Sequence, residues 1–276
     1  MTRPVWASRH VAASPEFVPR VRDVLRCSPV QKLDWRSRAR ASSVATVIDY
    51  GQFCTVARGA EVLGERWTPL VVRELLCGST RFNDIHRGVP RMSASLLAAR
   101  LRKLEEVGVI KRVPCDGRAA EYHLTGAGEE LRPIVLALGH WGARWIGSRL
   151  KRGQLDAGFL MWDMRRFVHL DACPRDRSLV IHFRFTDAHA GERRWWLVIA
   201  NGSVDLCRDD PGLELTVVVE STVLALTEVW TGDREPAEAL ASRALRVSGA
   251  PRDVRDLWRW LGRSAFAPTR AAALRY

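Results

Sequence analysis

The side chains best suited to proton transfer or metal ligation lie in the second half of this 276-residue chain, where His169, His182 and His189 stand near Asp171, Cys173 and Asp187. Their spacing places them on no common helix face and matches no known ligand set, so they are expected at the surface or at strand edges, with no metal between them. The chain carries no G-x-S-x-G elbow, no H-E-x-x-H pair, no G-x-x-x-x-G-K-[ST] loop and no G-x-G-x-x-G after a strand. Neither an enzyme nor a bound cofactor is expected. The remaining chemistry is cationic: Arg91, Arg102 and Lys103 have the reach and charge to engage phosphates or guanine edges, and Arg112 and Arg118 suit an adjacent minor groove or backbone.

The charge distribution agrees. The formal net charge is +12, and most of the surplus lies in the first 150 residues. Residues 1–50 hold 9 Lys or Arg against 4 acidic side chains, residues 51–150 hold 15 against 10, and residues 151–276 hold 19 against 17. A concentrated basic surplus favours nucleic acid through counterion release, so any such contact is expected from the first part. The alternative is an Arg-rich composition without function, which the presence of only four lysines supports. At 47% hydrophobic and 27% charged the composition is that of a globular protein. No apolar run approaches the ~18 residues of a membrane span, and no apolar leader follows Met1, so a cytoplasmic protein with no membrane partner is expected. The six cysteines contain no C-x-x-C pair and are expected as reduced, mostly packed thiols.

Three regions follow from the pattern. Residues 1–46 mix Pro, Ser and Arg without periodicity and are expected to form a disordered or loosely attached tail, with a start near Val44 as the alternative. From Phe53, apolar residues recur at helical spacing across two short helices broken near Gly64. A third helix fits Phe82 to Arg87, and a fourth starts at Ser93, a capping residue, with Leu97, Leu101 and Leu104 as its core stripe. The segment VIKRVPCDGRAAEYHLT predicts a hairpin turning at Asp116-Gly117. Thr125 then caps one long helix through HWGARWIGSRL.

Helices followed by a hairpin and a further helix predict a winged helix-turn-helix over residues 47–150, with Ser93–Val107 entering the major groove. If Leu97, Leu101 and Leu104 face inward, Ser95, Ala99, Arg102 and Glu106 face outward, flanked by Ala98 and Lys103. The candidate DNA-binding residues are therefore Arg91, Ser93, Ser95, Ala99, Arg102 and Lys103, with Arg112 and Arg118 at the hairpin tip. For any one arginine alone, a solvated surface charge is the simpler reading.

The stretches CTVARGAEVLGERWTPLVVREL, RFNDIHRGVPRMSASLLAARLRKLEEVGVI and EYHLTGAGEEL resemble the HxlR family of bacterial winged-helix regulators, over roughly residues 50–150. The resemblance implies a homodimer that presents two recognition helices to a pseudo-palindromic operator in double-stranded DNA, with LALGHWGARW in the interface. It also marks Cys54 as a redox candidate, because relatives carry a sensing thiol near this position. A small buried hydrophobe is the favoured alternative for Cys54.

Residues 156–270 change period. After the helical AGFLMWDMRRFVHL, the segments IHFRFT, RRWWLVIA, GSVDLC and LELTVVVEST predict strands joined by successive hairpins into an antiparallel sheet. TVLALTEVWTG, PAEALASRAL and APRDVRDLWRWLGRSAF predict helices, with RVSG a short strand before the last. The whole is α+β. Through ALASRALRVSGAPRDVRDLWRWL this half resembles the sterol carrier protein-like fold, which implies an apolar tunnel between sheet and helices. Phe159, Trp162, Trp196, Trp230 and Trp258 are the candidate ligand-binding residues, with plain core packing as the alternative for each. The combined expectation is a ligand-responsive DNA-binding regulator, most simply a repressor, that senses a hydrophobic small molecule. A lipid carrier whose winged helix serves for dimerisation, and a thiol-redox regulator acting through Cys54, are the alternatives.

Overall fold

A computed structural model describes residues 49–115, 117–146, 150 and 152–267. The expected tail, 1–46, lies outside the described residues. The chain divides into two compact units with the boundary between Pro133 and Ile134, whereas the sequence pattern carries the first region to 150.

The first unit begins with α1 (Thr55–Leu63), α2 (Thr68–Leu76), α3 (Phe82–Gly88) and α4 (Ala94–Glu106). The apolar stripes read from the sequence meet here: Val71, Val72, Ile85, Leu97, Leu101 and Leu104 are all buried. The hairpin is β1 (Ile110–Cys115) with β2 (Arg118–Leu124), paired from Ile110 opposite Leu124 to Cys115 opposite Arg118. Gly117 has φ +64°, which a tight turn requires and glycine adopts without strain. The register slips between Val113 and Cys115, at Pro114, which has no N–H for the ladder. A bridge between Arg81 and Glu121 and the Tyr122 amide donating to the Thr80 carbonyl tie the hairpin to the start of α3.

Thr125 caps the next helix as expected, accepting a hydrogen bond from the Gly128 amide. The single long helix does not form. It is split into α5 (Gly126–Glu129) and α6 (Arg132–Trp145), because Pro133 has no N–H to bond the carbonyl four residues earlier.

In the second unit α7 (Ala157–Arg166) precedes five strands: β3 (Leu179–Phe185), β4 (Arg194–Ala200), β5 (Ser203–Cys207), β6 (Val217–Ser221) and β7 (Leu245–Gly249). Helices α8 (Val223–Thr231) and α9 (Pro236–Ala241) lie between β6 and β7, and α10 (Pro251–Leu261) follows. The sheet order is β5-β4-β3-β6-β7. The sheet is mixed, not antiparallel as expected, since β3 and β6 run parallel. The turn signal at Asp210-Pro211-Gly212 belongs to a crossover rather than a hairpin, because the chain leaves edge strand β5 and rejoins beyond β3. The strand predicted for LELTVVVEST correspondingly starts only at Val217, leaving Leu213 and Leu215 in the crossing segment.

Alternation then assigns the two faces of the sheet. Ile181, Phe183, Trp195, Leu197, Val217, Val219 and Leu245 share a core with Leu160, Met161, Leu226, Leu257 and Trp260 from the helices. Val180, His182 and Trp196 project from the opposite face and are buried as well.

Candidate nucleic-acid interface

Helix α4 is held by its inner side and its start. The Ser93 hydroxyl accepts from the Leu96 amide and also bonds the Ser95 hydroxyl at 3.2 Å, so both candidate serines are committed to the first turn while remaining exposed. Leu97, Leu101 and Leu104 are almost inaccessible, as the heptad-like spacing requires. Arg100 forms an ion pair with buried Glu65 and donates to the Arg66 carbonyl at 3.4 Å, fastening the middle of α4 to the turn between α1 and α2. In that turn Trp67 adopts a left-handed φ of +79°, a conformation costly for a bulky residue and maintained here by its surroundings.

A second buried carboxylate locks α2 to α3. Glu74 is fully buried, pairs with Arg73 and accepts from the Ser79 hydroxyl at 3.5 Å, while Arg73 also donates to the Gly88 carbonyl at 3.3 Å. A Cβ on Gly88 would stand 1.8 Å from the Glu74 carboxyl carbon, so glycine at the end of α3 is a packing requirement. The His86 ring nitrogen lies 2.6 Å from the Met92 carbonyl, bracing the segment that leads into α4.

What these contacts leave outside is the candidate interface. Arg102 is exposed and makes no ion pair among the described residues, whereas Lys103 is half-buried and 3.9 Å from Glu106. Ala99 is half-buried beside them, and Arg91 is exposed just before the helix. Arg112 is exposed and without an ion pair among the described residues, but it sits within β1 opposite Tyr122, not at the hairpin tip. Arg118 opens β2 directly beside the turn. Arg100 and Glu65 are not among the residues that the sequence marks. Arg100 sits one turn from the leucines of α4 and is separable from its neighbours only by what it touches across the turn.

Cys54 is exposed at the amino-terminal cap of α1, which overturns the buried reading: the apolar stripe of α1 starts beyond it, and none of the described residues buries the cap. Cys173 alone of the described thiols is buried, and burial pushes its pKa up. His182 is also corrected. It is buried in the middle strand of the sheet, not at an edge, and stacks on Trp196 with ring centroids 4.4 Å apart.

The five aromatic candidates of the second unit do not converge. Trp196 lies on the far face of the sheet from the helices. Trp230 is in the helix-side core, donating from Nε1 to Asp163 and packing edge-on to Phe167. Trp162 lies under the guanidinium groups of Arg165 and Arg166. Phe159 and Trp258 are half-buried. Among the described residues, no group of three or more His, Cys, Asp or Glu side chains is placed to hold a metal, and no helix is long and apolar enough to cross a membrane.

Residues 62–149 match the model of the HxlR-like helix-turn-helix family. The HTH-type transcriptional regulator YvaP of Bacillus subtilis is 38% identical over 91 residues, an alignment that spans 32% of this chain and 84% of that protein. The chain belongs to the HxlR-like family. An HTH-type regulator of Mycobacterium tuberculosis is 42% identical over 96 residues, which cover 33% of this chain and 59% of the relative's own length. The redox regulator HypR, solved in its reduced form, is 31% identical with a TM-score of 0.32, over 34% of this chain and 96% of that one. This HxlR-like protein is accordingly a transcriptional regulator of the winged-helix type.

Proposed function

We propose that this HxlR-like regulator binds a pseudo-palindromic operator as a homodimer, represses, and responds to a small hydrophobic molecule held by its second unit. The observation that carries DNA contact is the outer face of α4, where Arg102 stands exposed, with no ion pair among the described residues, beside small side chains that let the helix backbone approach base edges. Arg112 on the wing, also without an ion pair among the described residues, supplies a second cation for the DNA backbone.

Dimerisation is supported by α6. Ile134, Leu138, Trp141 and Trp145 recur at helical spacing and are between 52% and 64% exposed, a contiguous apolar stripe of the kind that marks protein interfaces. Phe53 and Val56 add a separate exposed apolar patch at the start of α1. Ligand sensing is supported by the sterol carrier-like resemblance of the second half together with its layout, a sheet whose one face is covered by helices.

The test is fluorescence anisotropy of the purified protein on its own upstream intergenic DNA and on scrambled DNA. Preference for the upstream DNA, relieved by ligand, is expected. Equal and weak binding to both, with tight lipid binding, would replace the regulator reading with a carrier role. A redox role for Cys54 is a second reading, supported by the exposure of its thiol at a helix amino terminus. Loss of oxidant-sensitive DNA binding in Cys54→Ser is its expected signature.

A further inference from the structure

In the second unit, a groove of about 340 Å³ opens where β6 ends, α8 begins and β7 starts. It contains none of the aromatic residues marked from the sequence. Its walls carry three guanidinium groups and two carboxylates. Arg234 pairs with Glu228 at 2.9 Å and Arg246 with Glu220 at 3.2 Å, which leaves Arg243 with no ion partner among the described residues. The groove therefore has one uncompensated positive charge.

Two further features belong to the same place. Arg243 has φ +58°, in the left-handed region just beyond α9, a position where glycine is the usual residue because a Cβ is disfavoured. The chain nevertheless places a long cationic side chain there. Ser221, also in the wall, is only 5% exposed and its hydroxyl has no partner among the described residues. Beside these polar groups the wall is apolar, with Leu224, Ala225 and Ala244. At the amino terminus of α8 the Val223 amide donates to Asp187 and the Ala225 amide to Thr222, so neither is free for an anion.

We infer that this groove binds a small amphiphilic carboxylate, with the anionic head on Arg243 and the hydrocarbon part against Leu224, Ala225 and Ala244. One net positive charge matches a monoanion, and the volume suits a chain of modest length. This deepens the ligand-sensing proposal, on which it rests for any consequence at DNA, and it moves the ligand from a tunnel under the sheet to the end of the sheet.

The test is calorimetric titration of the full-length protein with octanoate, octanol and inorganic phosphate. Saturable octanoate binding is expected, with octanol and phosphate each weaker by at least about tenfold. Arg243→Gly should weaken octanoate by a similar factor while keeping the melting temperature, because glycine suits the left-handed backbone. Failure of octanoate to bind, octanol or phosphate binding equally well, or full affinity in folded Arg243→Gly would overturn the site. Binding that meets every expectation yet leaves DNA affinity unchanged would keep the site and contradict ligand sensing.

Discussion

The two units use the same arginine-rich composition in different ways. In the winged-helix unit Arg81, Arg87 and Arg132 pair near the surface, while two arginines reach buried carboxylates: Arg100 reaches Glu65 and Arg73 reaches Glu74. The two pairs with buried glutamates position α2, α3 and α4, and they leave Arg102 and Arg112 outside, without ion pairs among the described residues. In the sheet unit Arg177 pairs with buried Asp253 and Arg263 with half-exposed Glu235, and each pair holds the guanidinium pKa above its ordinary value. A cation without an ion pair among the described residues stands on an outer helix face in the first unit, as Arg102, and in a groove in the second, as Arg243; placement, rather than the count of cations, separates the proposed DNA contact from the proposed anion site.

The contrast can be broken at several points. The largest effect is expected for Trp141→Glu with Trp145→Glu on α6. Aromatic anchors at an interface centre contribute about 2 kcal/mol or more each, so sedimentation should show the dimer dissociation constant raised by roughly a thousandfold. Next is Gly88→Ala, which forces a methyl group onto the buried Glu74 carboxylate. A loss of about 3 kcal/mol in denaturant unfolding of the winged-helix unit is expected. Arg100→Ala, which leaves buried Glu65 without its cation, should cost roughly 2 kcal/mol and lower DNA affinity by loosening α4.

The smallest effect belongs to the sheet unit. Burial first, then Arg184 and Arg194, hold the His182 pKa below its ordinary value of 6.5, against an opposing pull from Asp210. The unfolded chain then takes up a proton more readily than the folded one. Stability from this residue is present above about pH 6.5 and falls as acid is added below it. Thermal unfolding monitored between about pH 7.5 and 5.5 should show this slope, and His182→Phe should flatten it. A slope unchanged in that variant removes His182 from the account.

Much of the winged-helix unit was legible because its signals are local. Leucine at three- and four-residue spacing marked α4, Ser93 marked its start, and Asp116-Gly117 marked the hairpin. The split between α5 and α6 was also signalled, by Pro133, but the apolar period running through it favoured one helix. What stayed hidden depends on residues distant in sequence. The crossover from β5 to β6 carries the same Asp-Pro-Gly signal as a hairpin. Burial of His182 requires cover on the second face of the sheet, which no period in β3 announces. Arg102 and Arg100 differ by two positions and look alike in sequence, yet one faces outward and the other holds Glu65.

The claim that Arg102 and Arg112 of the first unit carry DNA binding is tested most directly by the salt dependence of operator affinity. Each phosphate neutralised contributes about 0.9 to the slope of log affinity against log salt, so Arg102→Ala with Arg112→Ala should make the slope shallower by about 2 and weaken binding at low salt. The same slope in the variant as in the parent protein would contradict the account and place the DNA-binding surface elsewhere on the chain.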